Sequence, residues 1–518
     1  MSTSIMTLPS CIPIPIEENQ LKEVIEKTKD WAVMHGIGIR SRTNFSEDSI
    51  DFAPFLLLPS TFPRREFEKA VEIQTTLNEL MHRVAHNQEF LKETLQGTIQ
   101  VDEFTGNLYK IWETVMEEGV NQPLSLGLVR NDLMLDSLNS WKQVECNTIA
   151  AGFGWLGPRL SLGLVRSDYM LHGISNKIKQ VEYNTISVSM SGIGNGISLC
   201  NRFVMEELGH FDLLHNLPEN NALTGMTMGL LEAWKIYGDP KAAIMVIVED
   251  VTYNICDQRF HEFELRRLNP RVKIMRRTLT QIYQEGCLTD DNELVVNGVI
   301  VSVIYYRSAY TPEQIPTKKE WDARLMIERS QAIKCPSIQF HLAGTKKVQQ
   351  ALAKPGVLEM FLSEPKKIAA VREIFTGLYG LDFDEAGDQA IQMALDDPDR
   401  FVLKPQREGG GNNVYGMEIR DAILAMKDTK ERTAWILMER IRPPITTGYM
   451  VRPGGKNPPD LAEMVSELGI FGVIIGDSQK IMVNRQVGHM LRTKVATADE
   501  GGVAAGYGAL DSPYLIDI

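Results

Sequence analysis

The stretch Phe401-Val-Leu-Lys-Pro-Gln-Arg-Glu-Gly-Gly-Gly-Asn-Asn-Val-Tyr-Gly416 joins an apolar, β-type run to three consecutive glycines. Each glycine costs roughly 0.5–1 kcal/mol of extra chain entropy on ordering, so three together require a reason. The usual reason is a close approach of backbone N–H groups to a phosphate. Lys404 would then supply a positive charge, and Glu408 an oxygen ligand for Mg²⁺. The stretch therefore predicts a strand that leads into a nucleotide-binding loop.

Two other interpretations of this stretch are weaker. A mobile glycine hairpin with no ligand is the plain alternative. The Gly-x-x-x-x-Gly-Lys-Ser/Thr phosphate loop does not fit, because no lysine follows Gly409–Gly411. The predicted nucleotide site is therefore of another type.

Length and composition indicate an ordinary globular protein of about three to four domains. The chain has 518 residues, of which 43% are hydrophobic and 23% are charged. Its formal charge of −13 disfavours a nucleic-acid partner, whose phosphates would be repelled. Anionic substrates would need a local cluster of Lys and Arg side chains.

Cysteine use and hydropathy predict a cytoplasmic protein. The six cysteines form no Cys-x-x-Cys pair, a pattern typical of reduced thiols rather than of disulfides or a zinc site. The segment Met1–Pro9 has no basic start and no long apolar run, so we expect no signal peptide. No stretch approaches about 18 consecutive apolar residues, so we expect no membrane partner.

The first hundred residues have the periodicity of amphipathic helices. Apolar residues recur at helical spacing over Leu21–Ala32 and Phe67–Leu77, and Gly36 stands where a helix is expected to end. His82 and His86, spaced i, i+4, admit a metal pair. A solvated helix face is the favoured alternative, because no third ligand is near in the sequence.

From Ala242 onward the pattern predicts an α/β architecture. Ala243–Val248 and Val299–Tyr306 are continuous apolar runs, which are typical of strands covered on both faces. Further strands are predicted at Phe401–Leu403, Trp435–Met438, Ile470–Ile475 and Lys480–Val483.

An internal duplication is the unusual feature of the chain. Leu124-Ser-Leu-Gly-Leu-Val-Arg-Asn-Asp-Leu-Met134 recurs 36 residues later as Leu160-Ser-Leu-Gly-Leu-Val-Arg-Ser-Asp-Tyr-Met170. Gln143–Ile149 recurs 37 residues later as Gln180–Ile186. Two copies do not make a solenoid, which needs about three or more units. A repeated coding segment, such as two alternative exons in one reading frame, accounts for the pattern, and only one copy can occupy a single cleft.

Four further clusters carry cations or carboxylates suited to an anion- and metal-binding site. They are Gly344-Thr-Lys-Lys347, Met438-Glu-Arg-Ile441, Glu467-Leu-Gly-Ile-Phe-Gly472 and Arg492-Thr-Lys494, the last followed by the small-residue loop Glu500–Gly506. Alone, Gly344–Lys347 is more often a solvated charge pair. Glu467 begins a buried strand, where an unpaired charge is costly, so it requires a partner such as a ribose hydroxyl or a lysine.

These motifs resemble the eukaryotic glutathione synthetase family over nearly the whole chain. The matching stretches are Phe401–Gly416, Leu342–Gln350, Ser466–Gly472, Leu491–Lys494, Gly501–Gly506, Asn254–Gln258 and Val181–Ser187. The resemblance implies an α/β ATP-grasp fold with a helical N-terminal part, a parallel-sheet substrate-binding domain and Gly-rich lid loops. It also implies a homodimer that uses ATP and Mg²⁺, two ions per site, to join γ-glutamylcysteine to glycine.

The corresponding domain division has three parts. Residues 1–240 would form the N-terminal part of the ATP-grasp body, with the duplicated segment at about 124–196. Residues 241–343 would form the substrate-binding domain, and residues 344–518 the C-terminal ATP-grasp part with the lid.

The resemblance also implies roles for individual residues. Arg492, Lys404 and Lys346 would be catalytic. The ATP-binding residues would be Lys346, Lys404, Glu408, Gly409, Gly410, Gly411, Asn412, Asn413, Tyr415, Met438, Glu439, Arg440, Ile441, Glu467, Lys494, Glu500 and Glu182. The peptide would contact Arg166, Ser187, Ser189, Asn254, Gln258, Arg307, Tyr310, Arg492, Val503 and Ala504. The family often has Asp-Gly or Ala-Gly after the arginine that matches Arg307, where this chain has Ser308-Ala309.

The metal ligands would be Glu182, Asn184 and Glu408, but the duplication supplies alternates. The first copy offers Arg130, Glu145 and Asn147 in place of Arg166, Glu182 and Asn184. It has Ala150 and Gly152 where the second copy has Ser187 and Ser189. A lost hydrogen bond to a charged group is worth about 1.5–3 kcal/mol, which favours the second copy.

Three functions are consistent with the sequence. The first is ligation through an acyl phosphate, in which alignment and charge neutralisation provide the catalysis and the Gly-rich lids exclude water. The second is the same ligation with another small amine as acceptor. The third is a nucleotide-binding or dimeric interaction protein, inactivated by the repeat.

Overall fold

A computed structural model describes residues 6–41, 43–122, 125–127, 130–135, 141–147, 163–172, 177–186, 188–407, 412–499 and 508–518. Between residues 123 and 177 it describes the side chains of Arg166, Met170 and Leu171.

The helices alternate with strands along most of the described chain. Their bounds are α1 (Glu18–Met34), α2 (Arg64–Ala85), α3 (Gln88–Leu95), α4 (Glu103–Glu118), α5 (Ser191–Glu207), α6 (Ala222–Tyr237), α7 (Ile255–Leu268), α8 (Leu279–Glu285), α9 (Lys318–Arg329), α10 (Ile338–Ala343), α11 (Lys346–Leu352), α12 (Leu358–Phe361), α13 (Pro365–Ile374), α14 (Glu385–Asp396) and α15 (Met417–Met426). The two helices predicted near the N-terminus are α1 and α2. Gly36 has a φ of 72°, the left-handed conformation that ends helices, as predicted for α1.

The strands form one large sheet and three small ones. Their bounds are β1 (Gly38–Ile39), β2 (Asp51–Phe52), β3 (Phe55–Leu56), β4 (Ser60–Pro63), β5 (Ser125–Gly127), β6 (Arg130–Leu135), β7 (Trp141–Asn147), β8 (Gly163–His172), β9 (Lys177–Asn184), β10 (Ala243–Ile247), β11 (Lys273–Arg277), β12 (Gly286–Leu288), β13 (Leu294–Val296), β14 (Val299–Tyr306), β15 (Ile333–Cys335), β16 (Leu378–Gly380), β17 (Phe401–Pro405), β18 (Val414–Tyr415), β19 (Trp435–Glu439), β20 (Thr446–Val451), β21 (Leu461–Gly476), β22 (Ile481–Val495), β23 (Gly508–Asp511) and β24 (Pro513–Ile516). All six strands predicted from apolar runs are present.

One half of the large sheet is parallel. Its strands follow the order β11, β10, β14, β15, and all three neighbouring pairs are parallel. Every residue of β10 is buried, as its unbroken apolar run predicts for a strand covered on both faces. The expectation of an α/β protein with a parallel sheet after residue 240 is confirmed.

The other half of the large sheet is antiparallel and is built on β21 and β22. These strands pair over Met464–Gly476 and Ile481–Val495, with Glu467 opposite Arg492. Strand β5 joins the two halves, because it pairs with β15 on one side and with β21 on the other. The predicted domain boundaries at residues 240 and 343 stay predictions.

The duplicated segments fold as two equivalent hairpins. In β6–β7, Arg130 is opposite Asn147, and in β8–β9, Arg166 is opposite Asn184. Both ladders shift register at the corresponding place. The shift lies between Asp132 and Leu133 in the first hairpin and between Asp168 and Tyr169 in the second. Strand β6 pairs with Leu468–Phe471 of β21, and Leu133 of β6 is also paired with Tyr169 of β8. The two copies therefore meet the same part of β21.

A separate sheet carries the Gly-rich stretch. Its order is β16, β19, β17, β18, with antiparallel neighbours. Helices α14 and α15 cover it through a small apolar core that includes Phe401, Leu403 and Leu437. Lys404 and Met438 lie on its two central strands.

In the helical His82–His86 pair, His82 is buried and His86 is half-buried, so the expectation of a solvated helix face was wrong. His82 is 3% exposed, and its Nε2 lies 2.7 Å from the carbonyl oxygen of Asp477. Burial and the neighbouring His86 ring hold the pKa of His82 well below its usual value. The sequence could not indicate this burial, because β21 and Asp477 cover α2 from about four hundred residues away.

No helix within the described ranges is both long and apolar enough to cross a membrane.

A buried carboxylate, Asp257 of α7, joins three parts of the fold. It accepts hydrogen bonds from the backbone N–H groups of Met190, Gly192 and Ile193 at 2.9, 3.1 and 3.3 Å. It also pairs with Arg307, at 2.8 Å, and both side chains are fully buried. Burial alone would raise the pKa of Asp257, but Arg307 and His261 hold it below its ordinary value.

We expect Asp257→Ala to lower the free energy of unfolding by about 3–5 kcal/mol, because the change leaves a buried guanidinium without a counter-charge. Urea denaturation followed by circular dichroism measures the effect. Asp322→Ala is the control, since Asp322 pairs with the exposed Lys318, a pair worth under about 1 kcal/mol. Equal losses in the two variants would contradict a special role for the buried pair.

Candidate nucleotide and peptide site

Arg492 lies at the centre of the predicted site, between two carboxylates. Its guanidinium contacts Glu467 on the neighbouring strand β21 and lies 3.4 Å from Glu182 of β9. Glu467 is half-buried, and the structure pairs it with an arginine, whereas the sequence suggested a lysine or a ribose hydroxyl. One cation thus connects residues predicted for ATP, peptide and metal.

The two predicted catalytic lysines are buried. Lys404 is 4% exposed, and its Nζ donates to the carbonyl oxygen of Val181 at 3.4 Å. Lys346 is also 4% exposed, and its Nζ donates to the carbonyl oxygen of Arg407 at 2.8 Å. The contact with Val181 brings the strand of Lys404 against the hairpin that carries Glu182.

Lys347 is buried as well, so the solvated charge pair considered for Gly344–Lys347 was wrong. Its Nζ lies 2.5 Å from a carboxylate oxygen of Asp382, and its backbone N–H donates to Gln406. Burial lowers the pKa of Lys347 despite the opposing effect of Asp382. Lys347 therefore helps to hold the helix that begins at Lys346.

The residues predicted for the adenine and triphosphate lie around β18 and β19. Glu439 pairs with Arg400, and Arg440 pairs with Asp499 at 2.6 Å. The guanidinium of Arg440 lies 5.6 Å from the ring centroid of Tyr415. Further members of this group are Asn413, which donates to the hydroxyl of Tyr415 at 3.3 Å, and Lys494, which donates to the carbonyl oxygen of Asp499 at 2.6 Å.

The second hairpin, β8–β9, presents its predicted residues toward Arg492. Asn184 donates to Glu182 at 2.8 Å, so the two candidate metal ligands lie side by side. Arg166 is 1% exposed and donates to the carbonyl oxygen of Ser189 at 2.7 Å. Its guanidinium also lies 5.8 Å from the ring centroid of Phe471 on β21.

The predicted peptide residues Arg307 and Ser189 are in direct contact. Arg307 donates to the hydroxyl of Ser189 at 2.9 Å and to Asp257 at 2.8 Å. Ala309, which stands where the family often has glycine, has a φ of 75°. That left-handed conformation costs a residue with a Cβ roughly 1–2 kcal/mol, and it turns the chain between Arg307 and Tyr310.

Asn254 and Gln258 occupy the start of α7. Gln258 donates to Asn254 at 3.0 Å and accepts from Arg276 at 2.8 Å. Arg276 in turn pairs with Glu262. The two predicted peptide residues are thus held together, and the charged pair behind them belongs to β11 and α7.

A small cavity connects the nucleotide and peptide residues. Its volume is about 30 Å³, enough for one water molecule. Its lining includes Lys346, Arg407, Tyr310, Thr185 and Ile186. Two predicted residues, Lys346 for ATP and Tyr310 for the peptide, therefore line one space, next to Thr185 and Ile186, which follow β9.

Several predicted residues lie outside the described part of the chain. These are Glu408, Gly409, Gly410, Gly411, Ser187, Glu500, Val503 and Ala504, together with the side chains of Arg130, Glu145 and Asn147.

The sequence reasoning did not single out Asp257 or Arg276, which hold the peptide residues in place. Asp257 lies inside Asn254–Gln258, one of the stretches that match the family. Its charge, next to two predicted peptide contacts, was therefore an available signal. Arg276 had no such signal, because its contact with Gln258 arises only when β11 packs beside α7.

Comparison with known proteins identifies the family. The family model described as the ATP-binding domain of eukaryotic glutathione synthase matches residues 18–161 and 156–515. Glutathione synthetase of Homo sapiens is 40% identical over 502 residues, which cover 96% of this chain and 98% of the relative. The Xenopus laevis protein is 38% identical over 498 residues, covering 96% and 97%. The chloroplastic glutathione synthetase of Arabidopsis thaliana is 36% identical over 509 residues, covering 97% and 86%.

A solved structure has the same fold. The glutathione synthetase-like effector of Globodera pallida, in its apo form, superposes with a TM-score of 0.73 at 24% identity. The match covers 98% of this chain and all of that one. With several full-length relatives near 40% identity and a family model matched from residue 18 to residue 515, this chain belongs to the eukaryotic glutathione synthetase family.

Proposed function

We propose that this chain joins γ-glutamylcysteine to glycine with ATP, giving glutathione, ADP and phosphate. The observation that carries the proposal is the position of Arg492 between Glu467 and Glu182, at 3.4 Å from the latter. Family membership supplies the reaction, and this charge cluster supports a place where a nucleotide, a peptide carboxylate and a divalent cation meet.

We infer that the second hairpin, rather than the first, contributes its residues to the site. Lys179 of β9 donates to the carbonyl oxygen of Glu373 at 3.0 Å, and the backbone N–H of Ile178 donates to Glu66 at 3.2 Å. Lys404 reaches Val181 of the same strand. These contacts tie the hairpin to three separate elements and support Arg166, Glu182 and Asn184 as the residues used. The two ranges matched by the family model overlap at 156–161, where the second copy begins, so each range contains one copy.

The residues present fit a magnesium ion. Glu182 and Asn184 offer a carboxylate and an amide oxygen, the hard ligands that Mg²⁺ prefers, and Glu408 would complete the set. Within the described ranges, no group of three or more His, Cys, Asp or Glu side chains forms a metal site, and Glu408 lies outside those ranges. When bound, Mg²⁺ would neutralise phosphate charge, and two ions per site are expected for the family.

The chemistry needs no side-chain nucleophile. The cysteinyl carboxylate of the peptide attacks the γ-phosphorus of ATP, the bond to the bridging oxygen breaks, and ADP leaves. The amine of glycine attacks the resulting acyl phosphate, phosphate leaves with the electrons of the C–O bond, and the amine loses a proton. Lys346 and Lys404 would neutralise the transferring phosphoryl group, and Arg492 would orient the carboxylate.

We expect the full chain to release ADP only when both γ-glutamylcysteine and glycine are present. A coupled ADP assay, with glutathione identified by mass spectrometry, measures this reaction. A chain lacking residues 124–159 should have the same activity or more, since it keeps the second hairpin alone. The absence of turnover in the full chain, with turnover in the deletion, would favour an isoform inactivated by the repeat.

The acceptor is tested in the same assay. Alanine, serine and β-alanine replace glycine, and we expect glycine to give the highest kcat/KM. A higher kcat/KM with another small amine would identify that amine, rather than glycine, as the acceptor.

We expect Glu182→Gln in the full chain to raise the Mg²⁺ concentration for half-maximal activity at least about tenfold, because a charged metal ligand is lost. Glu145→Gln is the matched control, since Glu145 holds the corresponding register position in the first hairpin. Its activity should equal that of the unchanged chain. The reverse result would assign the site to the first hairpin.

We also propose that the protein is a cytoplasmic homodimer. The described cysteines are free thiols, which supports a reducing compartment. Four exposed apolar side chains support a dimer surface. They are Met34 (81% exposed), Phe45 (36%), Ile50 (45%) and Phe263 (64%). Ile50 lies next to β2 and Phe263 lies on α7, and Gly38 of β1 lies against Ile50 and against Cys256 of α7.

We expect Phe263→Glu to halve the mass measured by light scattering after size exclusion, because a charge would be buried in the interface. Met360→Glu is the control, since Met360 is 60% exposed on α12, away from this surface. An unchanged mass for Phe263→Glu would exclude this surface as the dimer contact, and a monomeric parent chain would exclude the dimer.

A further inference from the structure

Thr493 lies between Arg492 and Lys494 on β22 and faces the other side of the strand, because successive side chains alternate. It is 1% exposed, and its hydroxyl donates to Asp511 at 2.6 Å. The hydroxyl of Ser466 lies 2.7 Å from that of Thr493. Since the proton of Thr493 is used on Asp511, Ser466 must be the donor in this second bond. Asp511 therefore sets the donor-to-acceptor direction of the hydrogen bonds that run from Ser466 through Thr493 to its carboxylate.

Asp511 is fully buried at the end of β23 and collects donors from three places. Its carboxylate accepts from the hydroxyl of Ser60 at 2.5 Å, from the backbone N–H of Ser60 at 3.2 Å and from that of Ser512 at 2.7 Å. Burial raises the pKa of Asp511 to about 6, while these hydrogen bonds act in the opposite direction. Above that pH the group is a carboxylate that only accepts, which matches four converging donors.

We propose that Asp511 and Thr493 are positioning residues, which hold β22 so that Arg492 and Lys494 are presented to the ligands. The inference rests on the proposed function, which assigns Arg492 to the peptide and Lys494 to ATP. Neither positioning residue touches substrate.

The register of the hairpin explains how the effect reaches the site. Ser466 is opposite Thr493, and the next pair is Glu467 opposite Arg492. The hydroxyl network thus fixes one face of the strand pair directly behind the charge pair on the other face. Because a misplacement of about 1 Å at a reacting group can cost on the order of a hundredfold in rate, a small shift of β22 is enough to affect binding and turnover.

The test compares Thr493→Val with the unchanged chain. Valine keeps the shape of threonine and removes the hydroxyl. We expect the Kd for MgATP, measured by titration calorimetry in the absence of the peptide, to rise severalfold. We also expect KM for γ-glutamylcysteine to rise about tenfold, which corresponds to about 1.4 kcal/mol. Thr493→Ser restores the hydroxyl and should recover both values.

Ser512→Ala is the control for a purely structural effect. It removes the hydrogen bond from Ser512 to Asn201, at 2.8 Å, on the far side of Asp511, and leaves Thr493 untouched. This variant should lose thermal stability but keep the parent Kd and KM. Equal Kd values for Thr493→Val and the parent would overturn the positioning role, whether or not the chain forms glutathione. Parallel changes in Ser512→Ala and Thr493→Val would overturn it as well.

Discussion

The antiparallel register of β21 against β22 is the constraint on which the rest of the site depends. It places Glu467 opposite Arg492 and Ser466 opposite Thr493. Because side chains alternate, one face carries charges into the cleft and the other carries buried hydroxyls. A slip by one residue would exchange the two faces, burying Arg492 and exposing Thr493. The cost of burying an uncompensated charge makes that slip unfavourable.

The other candidate residues reach the site by packing against this hairpin. Strand β9 brings Glu182 to Arg492, and β17 brings Lys404 to Val181 of β9. Asp257 then anchors the chain that follows β9, through Met190 and Arg307. Lys404 and Asp257 are buried, so their contacts serve both the site and the stability of the fold.

The duplication adds a second hairpin against the same strand, β21. Both copies have the same register, and both approach Phe471, through strand pairing of Arg130 and through the guanidinium of Arg166. The two hairpins share a register because the repeated strand sequences place the corresponding residues opposite one another. Residues of β9 in the second hairpin make hydrogen bonds with the distant residues Glu66 and Glu373, which supports our proposal that this copy forms the site.

Local pattern was enough to predict α1, α2 and the buried strands, since helical and strand periodicities are short-range properties of the chain. Predictions of exposure failed where distant segments decide burial. His82 and Lys347 were expected in water, but Asp477 and Asp382 provide their partners from other parts of the chain. The motif residues Lys404, Glu467 and Arg492 were recognised from the sequence, while Arg276 was not, because nothing in its own neighbourhood indicates the contact with Gln258.

The sequence by itself determined two N-terminal helices, six strands, the family and the types of residue that serve an anion site. Only the tertiary structure decided which of them meet, that Arg492 is the partner of Glu467, and that Thr493 and Asp511 lie behind that pair. The physical reason is that charge pairing and burial join residues that can be hundreds of positions apart. Such contacts produce no local periodicity that the sequence alone could reveal.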